Sequence, residues 1–137
     1  MKLIEILQVD YQKFPLDQTY TIYAKDVYFQ DPMNSFRGIK RYRKMIGFIR
    51  NWFRNPHLEL HEIKQLESNF DPSSLSNIQG KIITHWTLSW HSPLPWQPKI
   101  VIPGWSELEI NSQGLISSHV DYWDCSIWHV LSQHLSS

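Results

Sequence analysis

His119 and Asp121, two residues apart in the run LISSHVDYWD, are the pair best suited to moving a proton. An imidazole titrates near neutral pH, and a carboxylate beside it can orient the ring or act as a base itself. On a strand both would share one face, ~6.5–7 Å apart, too far for a direct hydrogen bond between most rotamers. The competing role is structural: a buried polar pair satisfied by Ser106 and by Tyr or Trp neighbours. Asp31, just before Pro32, is a further carboxylate candidate. An Asp in that position also closes a turn by bonding its own backbone, with no chemistry attached. Tyr23 could offer its hydroxyl to a carbonyl oxygen as charge develops there, and Tyr20 could touch a ligand. Their plainer role is to find one partner each at the core edge. Trp86, Trp90 and Trp123 could wall a flat ligand, or could simply fill the core.

Other chemistries find less support. Seven His invite a metal, yet His85 and His91 are six apart and no compact ligand set with a second carboxylate is visible. No metal or cofactor is expected. Cys125 lacks the electropositive setting that activates a thiol, and a lone cysteine fits a reducing compartment. Thirteen basic residues cancel thirteen acidic ones, which argues against nucleic acid as a partner. The stretch from Ile39 to Arg54 is a local exception, with Lys40, Arg41, Arg43, Lys44, Arg50, Arg54 and no acid. It could meet an anionic partner or a membrane surface, but a solvated helix face balanced by Glu59, Glu62 and Glu67 is the simpler reading. No apolar run approaches the ~20 residues of a membrane span. The start, MKLIEILQVDYQKF, carries acids early and has no signal-peptide core. No membrane partner and a cytoplasmic location are therefore expected.

The elements that must position these residues follow from periodicity. With 137 residues, 42% of them apolar, the chain is expected to form one domain over 1–137 with a sizeable aromatic core. Leu3, Ile6, Leu7, Tyr11 and Phe14 predict a first amphipathic helix, ended by Pro15. A shorter helix is expected from Thr19 to Lys25, then a short strand from Val27 to Gln30. Ile39, Tyr42, Ile46, Ile49 and Phe53 predict a strong helix. Leu58–Ser68, Ile78–His91, Lys99–Asn111 and Leu115–Cys125 read as strands separated by polar or Pro-rich loops, and Ser126–Leu135 as a last helical turn or two. Helices first and strands afterwards give an α+β fold, three helices packed on a curved antiparallel sheet.

Alternation assigns the faces. Ile78, Ile82, Trp86, Leu88 and Trp90 point inward, as do Ile100, Ile102, Gly104, Ser106, Leu108 and Ile110. Trp105 turns outward, where an aromatic suits a dimer interface. A four-residue turn at Asn111–Gly114 pairs Ile110 with Leu115, which sets Ser106 opposite His119 and Gly104 opposite Asp121. Ser106, His119 and Asp121 are then inward, with space beside Gly104. An odd loop would turn the whole set outward. Leu58 and Leu60 lie on one face and Ile63 on the other, so a bulge is expected near His61.

The strings TIYAKDVYFQDPMNSFRGIKRYRKM, HWTLSWHSPLPW and GWSELEINSQGLISSHVDYWD together resemble the domain of unknown function 2358 family. The resemblance runs from about residue 8 to residue 124. It implies a cyanobacterial or plastid-related origin and similarity to the nuclear transport factor 2-like superfamily, a cone of sheet around a helix-capped cavity. It also implies that Asp31 lies near the cavity mouth and that the short helix carrying Tyr20, Tyr23 and Asp26 covers the cavity. Fold alone gives a pocket and no activity. Three functions are compatible. The first is a protein binding a small, largely apolar molecule. The second is a cofactor-free isomerase, dehydratase or cyclase with His119 or Asp121 as acid or base and Tyr23 or Ser106 as donor. The third is a dimerisation or assembly module working through the convex sheet face.

Overall fold

The computed structural model describes residues 2–67 and 80–135. Ser68 and Ile78, at the ends of two expected strands, lie outside them. Helix α1 (Leu3–Lys13) leads through a single 3-10 turn (Tyr20–Ile22) to strands β1 (Tyr23–Gln30) and β2 (Ser35–Arg37). Helix α2 (Ile39–Trp52) is followed by β3 (Arg54–Glu67), β4 (Gly80–His91), β5 (Lys99–Ile110), β6 (Ile116–Trp123) and α3 (Ile127–Gln133). The six strands form one curved, unclosed sheet in the order β2-β1-β6-β5-β4-β3. Neighbours run antiparallel except β1 and β6, which are parallel, so the sheet is mixed. Helix α1 packs on β3, α2 on β1 and α3 on β5. Among the described residues no helix is long and apolar enough to cross a membrane.

The helix expected from Thr19 to Lys25 is not there; β1 already begins at Tyr23. Its register is broken between Tyr23 and Tyr28, so Ala24 and Val27, three apart, are both buried while Lys25 and Asp26 between them are exposed. That irregularity imitates helical spacing in a strand. Helix α2 buries Tyr42 and Ile46 of its predicted stripe and keeps its basic side chains exposed. Glu62 pairs with Lys64 and His85. Among the described residues no ion pair ties Glu59 or Glu62 to α2; the side chain of Glu67 lies outside the described ones.

The sheet follows its sequence pattern closely. Every second residue of β5 from Ile100 to Ile110 is buried. The bulge expected near His61 is present: Leu60 pairs with Trp86 and Glu62 with His85, leaving His61 over. The last hairpin is less simple. Its loop has five residues rather than four, because Ile110 pairs with Ile116. Asn111 closes it by accepting the backbone N–H groups of Gln113 and Leu115 at 2.9 and 3.0 Å. An odd loop alone would turn His119 outward. One extra residue, Ser117, then slips in before Glu109 meets Ser118, and the two odd steps cancel. Leu108 therefore faces His119, Ser106 faces Asp121 and Gly104 faces Trp123. Each expected partner is displaced by two, which changes the neighbours and preserves the face. The space expected beside Gly104 is filled: a Cβ there would stand 2.3 Å from the Tyr122 carbonyl oxygen and 2.8 Å from the Trp86 ring.

Candidate functional site

Between the sheet's inner face and the three helices lies a cavity of about 470 Å³. Its walls are mostly apolar and aromatic, with Trp86, Trp90 and Trp123 from the sheet and Ile46 and Phe53 from the α2 side among them. Phe53 stacks on Trp90 with ring centroids 4.2 Å apart. Phe29 of β1 completes the wall near His119, 5.2 Å between ring centroids.

One end of the cavity is polar. The His119 Nε2 and Asp121 Oδ1 atoms are 2.7 Å apart, so the expected gap is closed by side chains leaning toward each other along β6. Ser106 donates its hydroxyl to the same Asp121 oxygen at 2.5 Å, and accepts the Trp86 indole N–H at 2.8 Å. The direction of this chain follows from its first member. An indole N–H can only donate, so Ser106 accepts from it and sends its own proton to Asp121. Asp121 Oδ1 then receives a second hydrogen from His119 Nε2, which fixes the ring's orientation and tautomer. Among the described residues the other ring nitrogen, Nδ1, has no hydrogen-bond partner, and it is buried against protein. In the neutral ring that atom is a bare lone pair in a residue only 8% exposed, an arrangement buried polar groups rarely tolerate.

Three tyrosines surround this end. Tyr11 of α1 is 2.8 Å from the Thr84 hydroxyl, and Tyr23 of β1 is 3.3 Å from that of Tyr42 on α2. Burial, foremost, pushes all three phenols above their ordinary range, and the Asp121 charge adds to the effect. They stay neutral at physiological pH and keep their O–H donors.

The structure thus brings together His119, Asp121, Ser106, Tyr23, Trp86, Trp90 and Trp123 on one cavity. Asp31 lies at its outer edge beside Met33 and Asn34. Its Oδ1 accepts the backbone N–H groups of those two residues at 2.8 and 2.6 Å, which is the turn-closing role. Tyr20 is not on the cavity wall, contrary to its assignment as a ligand contact. It packs edge-on to Tyr42, under the Arg43 guanidinium 4.6 Å from its ring centre. Asp26 is exposed. Tyr11, Tyr42, Phe29 and Thr84 were not singled out as site residues. The first two were visible as members of the helical stripes, but nothing in a stripe separates a hydroxyl facing a cavity from one at the core edge. Among the described residues, no three His, Cys, Asp or Glu side chains cluster as metal ligands.

Several solved structures share this architecture. An NTF2-like protein of unknown function from Exiguobacterium sp. 255-15 matches with a TM-score of 0.66 and 10% identity, over 90% of this chain and 98% of that one. A hypothetical protein from Catenulispora acidiphila DSM 44928 with a ketosteroid isomerase-like fold, in complex with trimethylamine, gives 0.67 at 15% identity, over 97% and 93%. A protein named as a SnoaL-like polyketide cyclase from Jannaschia sp. CCS1 gives 0.70 at 8% identity, over 98% and 92%. Identities this low establish a common fold and nothing further. No curated protein matches the chain. The profile of the family described as "Uncharacterized conserved protein (DUF2358)" matches residues 1–119, and the chain belongs to that family, built on the nuclear transport factor 2-like fold.

Proposed function

We propose that this protein binds a small, largely apolar molecule in the cavity, with one polar group of the ligand directed at His119 and Asp121. The observation that carries the reading is a largely apolar, aromatic chamber with the hydrogen-bonded pair His119 and Asp121 on its wall. A volume of about 470 Å³ suits a small molecule, since such sites commonly span ~300–1,000 Å³. Aromatic walls supply most of the affinity through area removed from water, and the few polar atoms fix orientation. The test is ligand-induced stabilisation. Small aromatic compounds should raise the melting temperature of the wild type, and Leu88→Trp, which pushes bulk into the chamber, should abolish the rise while leaving the fold intact. Equal shifts in both proteins would place binding elsewhere and sink the reading.

A second reading is favoured by the 2.7 Å contact between His119 and Asp121. A carboxylate oriented by an imidazole on a cavity wall can act as a general base and accept a proton from a bound substrate. In a cofactor-free isomerase, dehydratase or cyclase step, Asp121, oriented by His119, would take the proton and a neutral tyrosine hydroxyl, Tyr23 first, would steady the developing oxyanion. Exchange of the α-protons of small apolar ketones in D₂O, followed by NMR, tests this. Wild-type protein should accelerate exchange, and a folded Asp121→Asn should not; identical rates in the two would rule it out.

The outer sheet face supports an assembly role less well. Trp105 is half-buried there because it stacks on Tyr122, 5.0 Å between ring centroids, which covers much of the aromatic surface a partner would need.

A further inference from the structure

We infer that the polar group this cavity accepts is cationic: an organic amine, protonated near neutral pH and carried on an apolar body. The inference rests on the small-molecule reading above and narrows it. Among the described residues, the cavity lining contains the carboxylates of Asp10, Asp31 and Asp121 and neither Lys nor Arg. Two of these carboxylates are held by local bonds. Asp10 accepts the Thr19 backbone N–H and hydroxyl at 2.9 and 2.8 Å, and Asp31 closes its turn. Asp121 differs. Its side chain is 20% exposed, its ion-pair partner among the described residues is His119, and its hydrogen bonds there all fall on Oδ1. Oδ2 has no hydrogen bond among the described residues, and Asp121 lines the chamber.

A carboxylate in such a place lacks a counter-charge whenever His119 is neutral, and a buried charge without a partner is costly. An ammonium N–H would donate to Asp121 Oδ2 and bring the missing counter-charge with the same group. The surroundings favour the same sign of charge. The faces of aromatic rings carry negative potential and attract cations, most strongly where water is excluded. Phe29 and Tyr42 stand 5.2 and 5.9 Å from the His119 ring, and Trp86 and Trp123 flank Asp121 on the same wall. An anionic ligand would find neither Lys nor Arg to pair with and the Asp121 carboxylate opposing it. A neutral alcohol could donate to Oδ2 but would leave the charge of Asp121 as it was.

Three probes of nearly one shape test this on the unmodified protein by titration calorimetry: N,N-dimethylbenzylamine, isobutylbenzene and phenylacetate. The amine should bind at least tenfold more tightly than isobutylbenzene, and phenylacetate should bind weakest. In Asp121→Asn, an isosteric change, the amine should fall to the level of isobutylbenzene while isobutylbenzene itself is unaffected. Phenylacetate or isobutylbenzene binding the wild type as tightly as the amine would overturn the cationic assignment and leave the apolar-ligand reading standing. An amine preference that persists in Asp121→Asn would refute the role given to that carboxylate. Failure of all three probes to bind up to their solubility would remove both the inference and the reading beneath it.

Discussion

Ser106 occupies the narrowest point of the polar chain. It is 1% exposed and links a donor that cannot reverse, Trp86 Nε1–H, to an acceptor that must be oriented, Asp121 Oδ1. Replacing it by Ala strands the indole N–H in an apolar wall and removes one of two hydrogens from the carboxylate. The expected cost is about 1–3 kcal/mol of stability, the usual toll of an unmatched buried donor. Urea denaturation measures it. A double-mutant cycle with Trp86→Phe should show strong non-additivity, because the second change removes the donor that the first left unmatched. Additive costs would mean that the two side chains do not act as a linked pair. At this scale the sequence was informative about which residues face inward and silent about how their side chains meet. A two-residue separation on a strand fixed the shared face of His119 and Asp121, but rotamers closed the distance, and no pattern in the letters encodes a rotamer. Tyr20 and Tyr23 looked alike in sequence; Tyr23 lies on the cavity wall, and Tyr20 packs against Tyr42 and Arg43.

Elements carried the face assignment through a compensation that sequence did not announce. The loop Asn111–Leu115 is odd and Ser117 is supernumerary, and pairing Ser117 in register after that loop would present Ser118 and Val120 to the cavity in place of His119 and Asp121. Deleting Ser117 should therefore be tolerated, within the ~0.5–3 kcal/mol of an ordinary change, because Ile116, Ser118 and His119 then alternate without interruption and His119 still meets Leu108. Deleting Val120 instead, in the regular part of the strand opposite Glu107, turns Asp121 and Trp123 outward and should cost more than ~3 kcal/mol. Chemical denaturation of the two variants compares them directly. If the Val120 deletion is no less stable than the Ser117 deletion, parity is not what places Asp121 inside. The same logic explains why β4 and β5 were legible from alternation while β1 was not. A clean two-residue period survives only where no extra residue interrupts it; the break between Tyr23 and Tyr28 erased the period in a strand too short to show it twice. The His61 bulge could be read because long apolar runs on both sides of it kept their own phases.

At the scale of the whole molecule, the helical layer and the sheet meet around buried hydroxyls. Tyr11 comes from α1, Tyr23 from β1 and Tyr42 from α2, and their oxygens bond across element boundaries to Thr84 and to one another. Burial raises all three above the ordinary tyrosine value of 10.0, which makes folding and proton binding interdependent. Below pH ~10 these phenols are neutral in both folded and unfolded chains, and the stabilisation linked to them is fully present. Above it the unfolded chain ionises first, binds fewer protons than the native one, and stability falls as pH rises toward the higher native values. Each such tyrosine contributes a slope of up to about 1.4 kcal/mol per pH unit, so three acting together predict a steep alkaline loss of the entire fold rather than local fraying. Urea midpoints taken from pH 8 to pH 11 should drop sharply in the upper part of that range. Tyr42→Phe removes one titrating group and should flatten the decline, even if its stability at pH 8 is lower. A wild-type profile as shallow as that of a protein with exposed tyrosines would show that water reaches these hydroxyls. The polar end of the cavity would then be wet, and the Asp121 carboxylate would have solvent rather than a ligand to meet.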